Sequence, residues 1–208
     1  MHDTPGQAPQ DQPQAQLQAK PQASPPSNGQ ESAPLTPQEA RARHGAFLRG
    51  LAVIAFIVVL DQLSKLWILH GLDLPSRESV NVLPFLNFTM VWNRSISMGL
   101  PINELTGDWG LIALTAIIVL WLVRWLYKSS RMLEALALAV VIGGAVGNLI
   151  DRIVHGAVVD FVHLYGFGYH FYVFNVADAA ITLGVVILLL DGILPSKQFT
   201  QASVRTDA

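Results

Sequence analysis

The chain has 208 residues, of which 51% are hydrophobic and only 13% are charged. Soluble domains carry about 25% charged residues, so this composition excludes an ordinary water-soluble globule. The formal net charge of −2 leaves no basic excess to neutralise phosphates, and we expect no nucleic-acid partner. The chain contains no cysteine, which excludes a disulfide framework, a thiol nucleophile and a cysteine-ligated metal.

The first 44 residues differ from the rest of the chain. They hold eight of the 12 prolines and nine glutamines, and they contain no aromatic residue. Such a segment cannot bury enough apolar surface to offset the entropy of ordering. We therefore predict a disordered tail over 1–44, a membrane domain over 45–195 and a short second tail over 196–208.

Four apolar stretches follow the first tail, over 49–69, 109–127, 131–154 and 173–194. Each is close to the roughly 20 residues that span a bilayer core. They are long and do not alternate between apolar and polar residues, so they predict helices and not strands. The fold class is predicted as all-α and polytopic, with four transmembrane helices.

The positions of Lys and Arg predict the orientation of these helices. Eight of the 13 cations flank the spans on one side, which the positive-inside rule makes the cytoplasmic side. Both termini are then cytoplasmic, and the connections 70–108 and 155–172 face outward. The eight cations are Arg41, Arg43, Arg49, Arg124, Lys128, Arg131, Lys197 and Arg205.

Both outward connections contain unusual apolar sequence. Residues 80–92 combine β-branched and aromatic side chains, interrupted by Pro84, and predict short strands at the membrane surface. Residues 161–174 carry seven aromatic side chains, which fit either an interfacial aromatic belt or a substrate-contacting loop. Gly156 precedes this second segment and Gly166 and Gly168 lie within it, so a mobile lid over 155–172 is a further hypothesis.

Ionisable residues inside apolar spans are costly and usually mark function. Asp61 and Lys65 lie four residues apart in the first span, so they share a helix face and are predicted to form an ion pair. Asn148 and Arg152 have the same spacing at the outer end of the third span. For Arg152, snorkelling to the interface competes with a functional contact.

Two carboxyls lie in strongly apolar sequence with no Lys or Arg within four residues. Asp160 follows the third span, and Asp178 opens the fourth span together with Asn175. Two carboxyls in a dry site cannot both ionise easily, so one keeps a proton while the other deprotonates a water. Aspartyl proteolysis requires this arrangement. The residues alone leave open whether the two carboxyls meet.

Other chemistries find less support in the sequence. There is no HExxH or GxSxG motif, and His155, His163 and His170 lack helical metal-ligand spacing, so we expect no metal and no cofactor. The alternative function is a small ion or proton channel or transporter that uses intramembrane Asp, Lys and Arg. A third possible function is that of a structural membrane scaffold, in which the buried charges are only paired with one another. Against the channel, the polar residues cluster at one leaflet and no inverted repeat relates the two halves.

Four segments, in chain order, resemble motifs of the lipoprotein signal peptidase family, also called signal peptidase II. Residues 61–65 (DQLSK) resemble its Asp-x-x-Ser/Thr-Lys motif, and residues 143–152 (GGAVGNLIDR) resemble its GGAxGNxxDR motif. Residues 159–161 (VDF) and 174–178 (FNVAD) are similar to its two catalytic segments. The chain departs from the family where Asn-x-Gly-x-Ala/Ser-Phe is usual, because residues 93–99 read NRSISMG. We expect the backbone and the aromatic wall there to differ.

The resemblance implies an aspartic endopeptidase of the bacterial inner membrane, with its active site toward the outer leaflet. It would remove signal peptides from diacylglyceryl-modified prolipoproteins, cutting before the lipidated Cys, in contact with membrane lipids. It also implies a small extracytoplasmic β-cradle, which suits residues 80–92, beside the interfacial aromatic loop. Asp160 and Asp178 would be the catalytic pair. The supporting or substrate-binding residues would be Asp61, Lys65, Asn93, Asn148, Arg152 and Asn175.

Overall fold

The structure is a computed structural model that describes residues 36–94, 102–166 and 168–193. Helix α1 (Pro37–Leu66) continues into a π-helical turn (Trp67–Gly71). The remaining elements are α2 (Leu74–Arg77), β1 (Ser79–Leu83), β2 (Leu86–Asn93), α3 (Ile102–Lys128), α4 (Met132–His155), β3 (Val158–Gly166), β4 (Tyr169–Phe174) and α5 (Val176–Ile193).

Helix α1 begins inside the segment that we predicted as a disordered tail. The Glu39 backbone N–H donates to Thr36 Oγ1 at 3.3 Å, and the Thr36 backbone N–H donates to the Glu39 carboxylate at 2.9 Å. This capping box, with Pro37 in the first turn, starts a helix despite the polar composition around it. Residues 37–44 of the predicted tail are therefore helical. Residues 1–35 and 196–208 of the two predicted tails lie outside the described residues.

Within the described residues, four helical segments are long and apolar enough to cross a membrane, as the sequence predicted. Helix α4 is central, because it packs against α1, α3 and α5. The other three leave large apolar side chains exposed, such as Phe56 at 64%, Ile117 at 63% and Leu189 at 60%. These surfaces suit contact with lipid chains, since helices that satisfy their own backbone can face hydrocarbon.

Glycines in α4 allow the helices to approach closely. A Cβ added to Gly143 would lie 2.8 Å from Ile57 Cβ on α1, and one added to Gly144 would collide with the carbonyl oxygen of Ala177 on α5. These small residues therefore let α4 pack closely against α1 and α5.

The four strands form one antiparallel sheet in the order β1-β2-β3-β4, which confirms the predicted small sheet. Pro84 lies in the turn between β1 and β2, where the sequence predicted a break. Buried side chains of the π-helical turn, α2 and β3 form a core that joins this sheet to the end of α1. Between β2 and β3, Val91 pairs with Asp160 and Asn93 pairs with Val158. This register places Asn93 and Asp160 diagonally on the same face of the sheet.

The aromatic segment 161–174 differs from the prediction, because it contributes to β3 and β4 and is not an irregular loop. Its β-branched and aromatic residues favour strands, and β3 covers an edge of β2 that would otherwise be unpaired. Several aromatic side chains on β4 remain exposed, including Tyr169 at 74% and Tyr172 at 83%. Both earlier interpretations, an interfacial belt and a substrate contact, stay compatible with that exposure.

Candidate active site

Hydrogen bonds at the start of helix α5 hold the Asp178 side chain in place. Asn175 precedes the helix, and its Oδ1 accepts a hydrogen bond from the Asp178 backbone N–H at 2.9 Å. In return, the Asn175 backbone N–H donates to Asp178 Oδ2 at 3.4 Å. This reciprocal pattern is typical of helix N-termini. The Asn-x-x-Asp spacing therefore fixes the Asp178 carboxyl at the first turn of the helix.

Asp160 lies on β3 and is only 1% exposed. Its two carboxylate oxygens each accept a hydrogen bond from a side-chain amide. Asn175 Nδ2 donates to Oδ1 at 2.6 Å, and Asn93 Nδ2 donates to Oδ2 at 2.9 Å. Asp160 is thus held by Asn93, which the sheet register brings near, and by Asn175, which precedes α5.

Asn148 of α4 connects the two carboxyls. Its Nδ2 donates to Asp178 Oδ1 at 2.8 Å, and its Oδ1 accepts from Asn175 Nδ2 at 3.1 Å. Because Asn175 Nδ2 also reaches Asp160, two amides link one carboxyl to the other. Asp160, Asp178 and Asn93 line a single cavity of about 290 Å³. The structure therefore brings together the two carboxyls, a point that the sequence alone left open.

Lys65 lies behind this pair and is 2% exposed. Its Nζ lies 2.7 Å from Asp61 Oδ2, which confirms the predicted ion pair, and 2.7 Å from Asp151 Oδ2. It also donates to Asn148 Oδ1 at 3.1 Å. An ammonium group can only donate, so Asn148 turns its oxygen toward Lys65 and its NH₂ group toward Asp178.

Asp151 and Gln62 were not singled out by sequence reasoning, although both lie within the motifs quoted above. Asp151 Oδ2 accepts from the Val159 backbone N–H at 3.1 Å as well as from Lys65. Gln62 Nε2 donates to Asp151 Oδ1 at 3.0 Å and lies 3.2 Å from Asp61 Oδ2. Asp61 Oδ1 also accepts the Ala177 backbone N–H at 3.0 Å, which ties α1 to α5. A usable signal was the position of Asp151, one helical turn after Asn148.

Arg152 lies at the edge of the site. Its guanidinium donates to the Asn148 backbone carbonyl at 3.4 Å and interacts electrostatically with Asp178, Asp160 and Asp151. It lines a second cavity of about 310 Å³, to which Asn93, Asn148 and Asp178 also contribute. The apolar wall of this cavity is formed by Leu114, Ile118, Leu122, Val141, Ala145, Val158 and Ile181.

Comparison with known proteins establishes the family. The family whose sequence model is described as "Signal peptidase (SPase) II" matches residues 53–194. The chain belongs to the signal peptidase II family. It is 44% identical over 160 residues to the lipoprotein signal peptidase of Methylorubrum extorquens (strain PA1), covering 76% of this chain and 94% of that protein. It is 42% identical over 158 residues to that of Methylobacterium radiotolerans, covering 76% and 92%.

A solved structure gives the same result at the level of the fold. It is described as a bacterial membrane enzyme determined by the in meso method at 2.3 Å resolution, and it is 31% identical to this chain. The match covers 72% of this chain and 93% of that chain, with a TM-score of 0.60. The four spans and the small sheet of this signal peptidase II family member therefore match a known fold. A channel or transporter is not favoured.

Burial sets the protonation of Asp160 in this family member. It raises the pKa of Asp160 from 3.8 to about 6, and the charge of Asp178 acts in the same direction. Hydrogen bonds from Asn93 and Asn175 and the charge of Lys65 act against it. Asp160 therefore keeps its proton to a higher pH than an ordinary aspartate carboxyl does.

Two sequence-based expectations concern residues 93–99 and metal binding. The departure from the family pattern at Ser95 and Met98 falls outside the described residues. Among the residues that the structure does describe, no three His, Asp or Glu side chains form a group that could hold a metal ion.

Gly147 offers a test of the packing behind the carboxyl pair. A Cβ added there would lie 2.5 Å from Asp61 Oδ2, so Gly147→Ala must displace the Asp61–Lys65 ion pair. We expect the free energy of unfolding to fall by roughly 1–3 kcal/mol, measured by denaturation in a fixed detergent. Gly45→Ala is the matched control, because nothing lies within 4 Å of a Cβ at Gly45. In a helix that substitution is neutral or stabilising. Equal stability of the two variants would contradict the described contact.

Proposed function

We propose that this chain is an aspartic endopeptidase that removes the signal peptide from diacylglyceryl-modified prolipoproteins, cutting the bond before the lipidated Cys. The observation that carries the proposal is the pairing of Asp160 and Asp178 on one cavity, linked through two amides. Membership in the signal peptidase II family supports the substrate class. We propose Asp160 and Asp178 as the catalytic residues.

Hydrolysis then proceeds by general acid–base catalysis without a covalent intermediate. The half-buried Asp178 carboxylate takes a proton from water, and the water oxygen attacks the scissile carbonyl carbon. Asp160 gives its proton to the carbonyl oxygen, which produces a tetrahedral diol. Asp178 next passes its proton to the leaving nitrogen as the C–N bond breaks. One diol hydroxyl returns a proton to Asp160 as the carbonyl re-forms, so both carboxyls end in their starting states.

The surrounding amides are proposed to position these carboxyls. Asn93 and Asn175 hold Asp160 through both of its oxygens, and Asn148 holds Asp178. The buried Asp61–Lys65 ion pair lies behind them and orients Asn148. Rigid positioning of this kind lowers the entropic part of the barrier.

The membrane itself is proposed to present the substrate. We propose that the enzyme lies in the bacterial inner membrane with both termini cytoplasmic, as the Lys and Arg distribution predicts. The carboxyl pair then lies toward the outer leaflet, where a lipid anchor holds the lipidated Cys at a fixed depth. We assign Arg152 and the apolar cavity beside it to substrate binding.

A cleavage assay tests this proposal. Purified full-length protein in lipid nanodiscs is incubated with a prolipoprotein that carries diacylglyceryl-Cys, and with the same prolipoprotein lacking the lipid. Mass spectrometry of the products is expected to show one cut, before the modified Cys, in the lipidated substrate only. A cut elsewhere, or equal cleavage of the two substrates, would contradict the proposed specificity.

The pH dependence tests the assignment of Asp160 as the proton donor. A donor with a pKa of about 6 loses its proton above that pH, so kcat/KM is expected to fall as the pH rises through 6. The Asn93 hydrogen bond favours the charged form of Asp160, so Asn93→Ala raises the pKa and moves this decline to higher pH. The pH profile of kcat/KM measures both effects.

Thr182→Val is the control for that profile. Thr182 lines the same cavity from α5, whereas the Asp160 carboxylate is held by Asn93 and Asn175. Its profile is expected to match that of the unmodified enzyme. A shift of the Asn93→Ala profile to lower pH would refute the assignment.

A further inference from the structure

A separate pocket, called the basic pocket below, lies at the end of the helices opposite to the carboxyl pair. It has a volume of about 230 Å³ and is formed where the first turns of α1 approach the last turn of α3. Its lining combines three basic side chains with two aromatic ones. The lining residues are Ala40, Arg43, His44, Phe47, Tyr127 and Lys128.

The depth of this pocket follows from the length of α1. Arg43 precedes Asp61 by 18 residues in one continuous helix, which corresponds to about 27 Å along the helix axis. The hydrocarbon core of a bilayer is about 30 Å thick. The pocket therefore lies near the membrane interface opposite to the carboxyl pair, at the level of the headgroups.

The carboxylates around this end of the protein already have partners. Glu39, one turn before Arg43, accepts hydrogen bonds from Thr36 in the capping box and also interacts electrostatically with Arg43. Glu134 accepts from Trp125 Nε1 at 2.7 Å and from Ser129 Oγ at 2.8 Å. A third carboxylate, on α5, forms an ion pair with Arg131. Arg43 and Lys128 carry two positive charges against the one negative charge of Glu39, so the basic pocket keeps a net positive charge.

One donor of the Arg43 side chain is unsatisfied. The Nε atom of Arg43 is buried and has no hydrogen-bond partner among the described residues. A buried donor without a partner is costly. The guanidinium of Arg43 also lines the pocket, and a guanidinium group binds phosphate oxygens well.

We propose that this pocket binds the phosphate group of an anionic phospholipid from the adjacent leaflet. Arg43 and Lys128 donate to the phosphate oxygens. Phe47 and Tyr127, which pack edge to face with ring centroids 5.5 Å apart, contact the apolar part of the lipid. Basic pockets between transmembrane helices are suited to such headgroups. The proposal is independent of the peptidase activity.

Lipid titration of the full-length protein tests the pocket. Native mass spectrometry in a neutral detergent measures binding of phosphatidylglycerol and of phosphatidylcholine at equal concentrations. We expect tighter binding of phosphatidylglycerol, with about a fivefold loss of affinity in Arg43→Gln and again in Lys128→Gln. Arg124→Gln is the matched control, because Arg124 lies on α3 one turn before Lys128 and is exposed outside the pocket. It is expected to keep the affinity of the unmodified protein.

Three outcomes would overturn the proposal. The first is equal binding of the two lipids by the unmodified protein. The second is an equal loss in Arg124→Gln, which would indicate a general charge effect. The third is full thermal stabilisation by inorganic phosphate alone, which would indicate a site for a free anion. Thermal unfolding without added lipid checks that each variant is folded. If either Arg43→Gln or Lys128→Gln does not fold, the other variant still tests the pocket.

Discussion

Replacement of Asp178 by Asn is expected to lower kcat for a lipidated prolipoprotein by roughly 10²–10⁴-fold, the usual contribution of a positioned acid or base. The amide cannot accept the proton of the attacking water, which is the first step of the proposed reaction. The shape survives and the amide oxygen can still accept from Asn148 Nδ2, so only the long 3.4 Å hydrogen bond from the Asn175 backbone N–H is lost. KM and the thermal unfolding temperature are therefore expected to change little.

Asp178 is a cleaner probe than Asp160. Both oxygens of Asp160 accept from amide NH₂ groups, so Asp160→Asn places one donor against another and disturbs the site. Asp73→Asn is the matched control, since Asp73 is exposed at the start of α2, outside the site. Full activity of Asp73→Asn beside inactive Asp178→Asn supports the assignment. Substantial activity of Asp178→Asn would refute the role of Asp178 as the base.

Replacement of Lys65 by Met is expected to have the largest effect on stability. Lys65 lies between Asp61 and Asp151, and its removal leaves two buried carboxylates without their cation. Breaking a buried ion pair costs roughly 3–5 kcal/mol, which corresponds to a fall of roughly 6–20 °C in Tm for a chain of this size. Thermal unfolding in a fixed detergent measures the shift. Activity is expected to fall as well, because Asn148 loses the partner that sets its orientation.

Two further variants show whether this effect is electrostatic. Arg49→Met removes a cation from the same helix at an exposed position and is expected to leave Tm nearly unchanged. Adding Asp151→Asn to Lys65→Met removes one of the uncompensated charges and is expected to recover part of the stability. A Tm for Lys65→Met within 2 °C of the unmodified protein, below roughly one kcal/mol, would show that the buried cluster contributes little.

The sequence predicted those parts of the molecule that depend on local patterns. The four spans follow from apolar length, and the Asp61–Lys65 ion pair follows from a four-residue spacing on one helix. The break at Pro84 follows from the missing N–H of proline. In each case the interacting residues are close in the chain, so their geometry is set by the element that carries them.

Features that depend on tertiary pairing were not predicted. Asp160 reaches Asn93 only because β2 and β3 pair in one register, and no local pattern specifies that register. The strand character of the aromatic segment 161–174 depends on the partner edge that β2 provides, which the local sequence does not specify. The ion pair of Asp151 does not follow from local spacing, because its partner, Lys65, lies on another helix.

The most direct test of the central claim compares Asp160→Asn, Asp178→Asn and the double variant in single-turnover cleavage of one lipidated prolipoprotein. Groups that act as a unit are strongly non-additive. The two single variants and the double variant are therefore expected to show the same residual rate, with all three proteins folded by thermal unfolding. If the two single losses multiply in the double variant, or if either single variant keeps substantial activity, then Asp160 and Asp178 do not act as one hydrolytic pair.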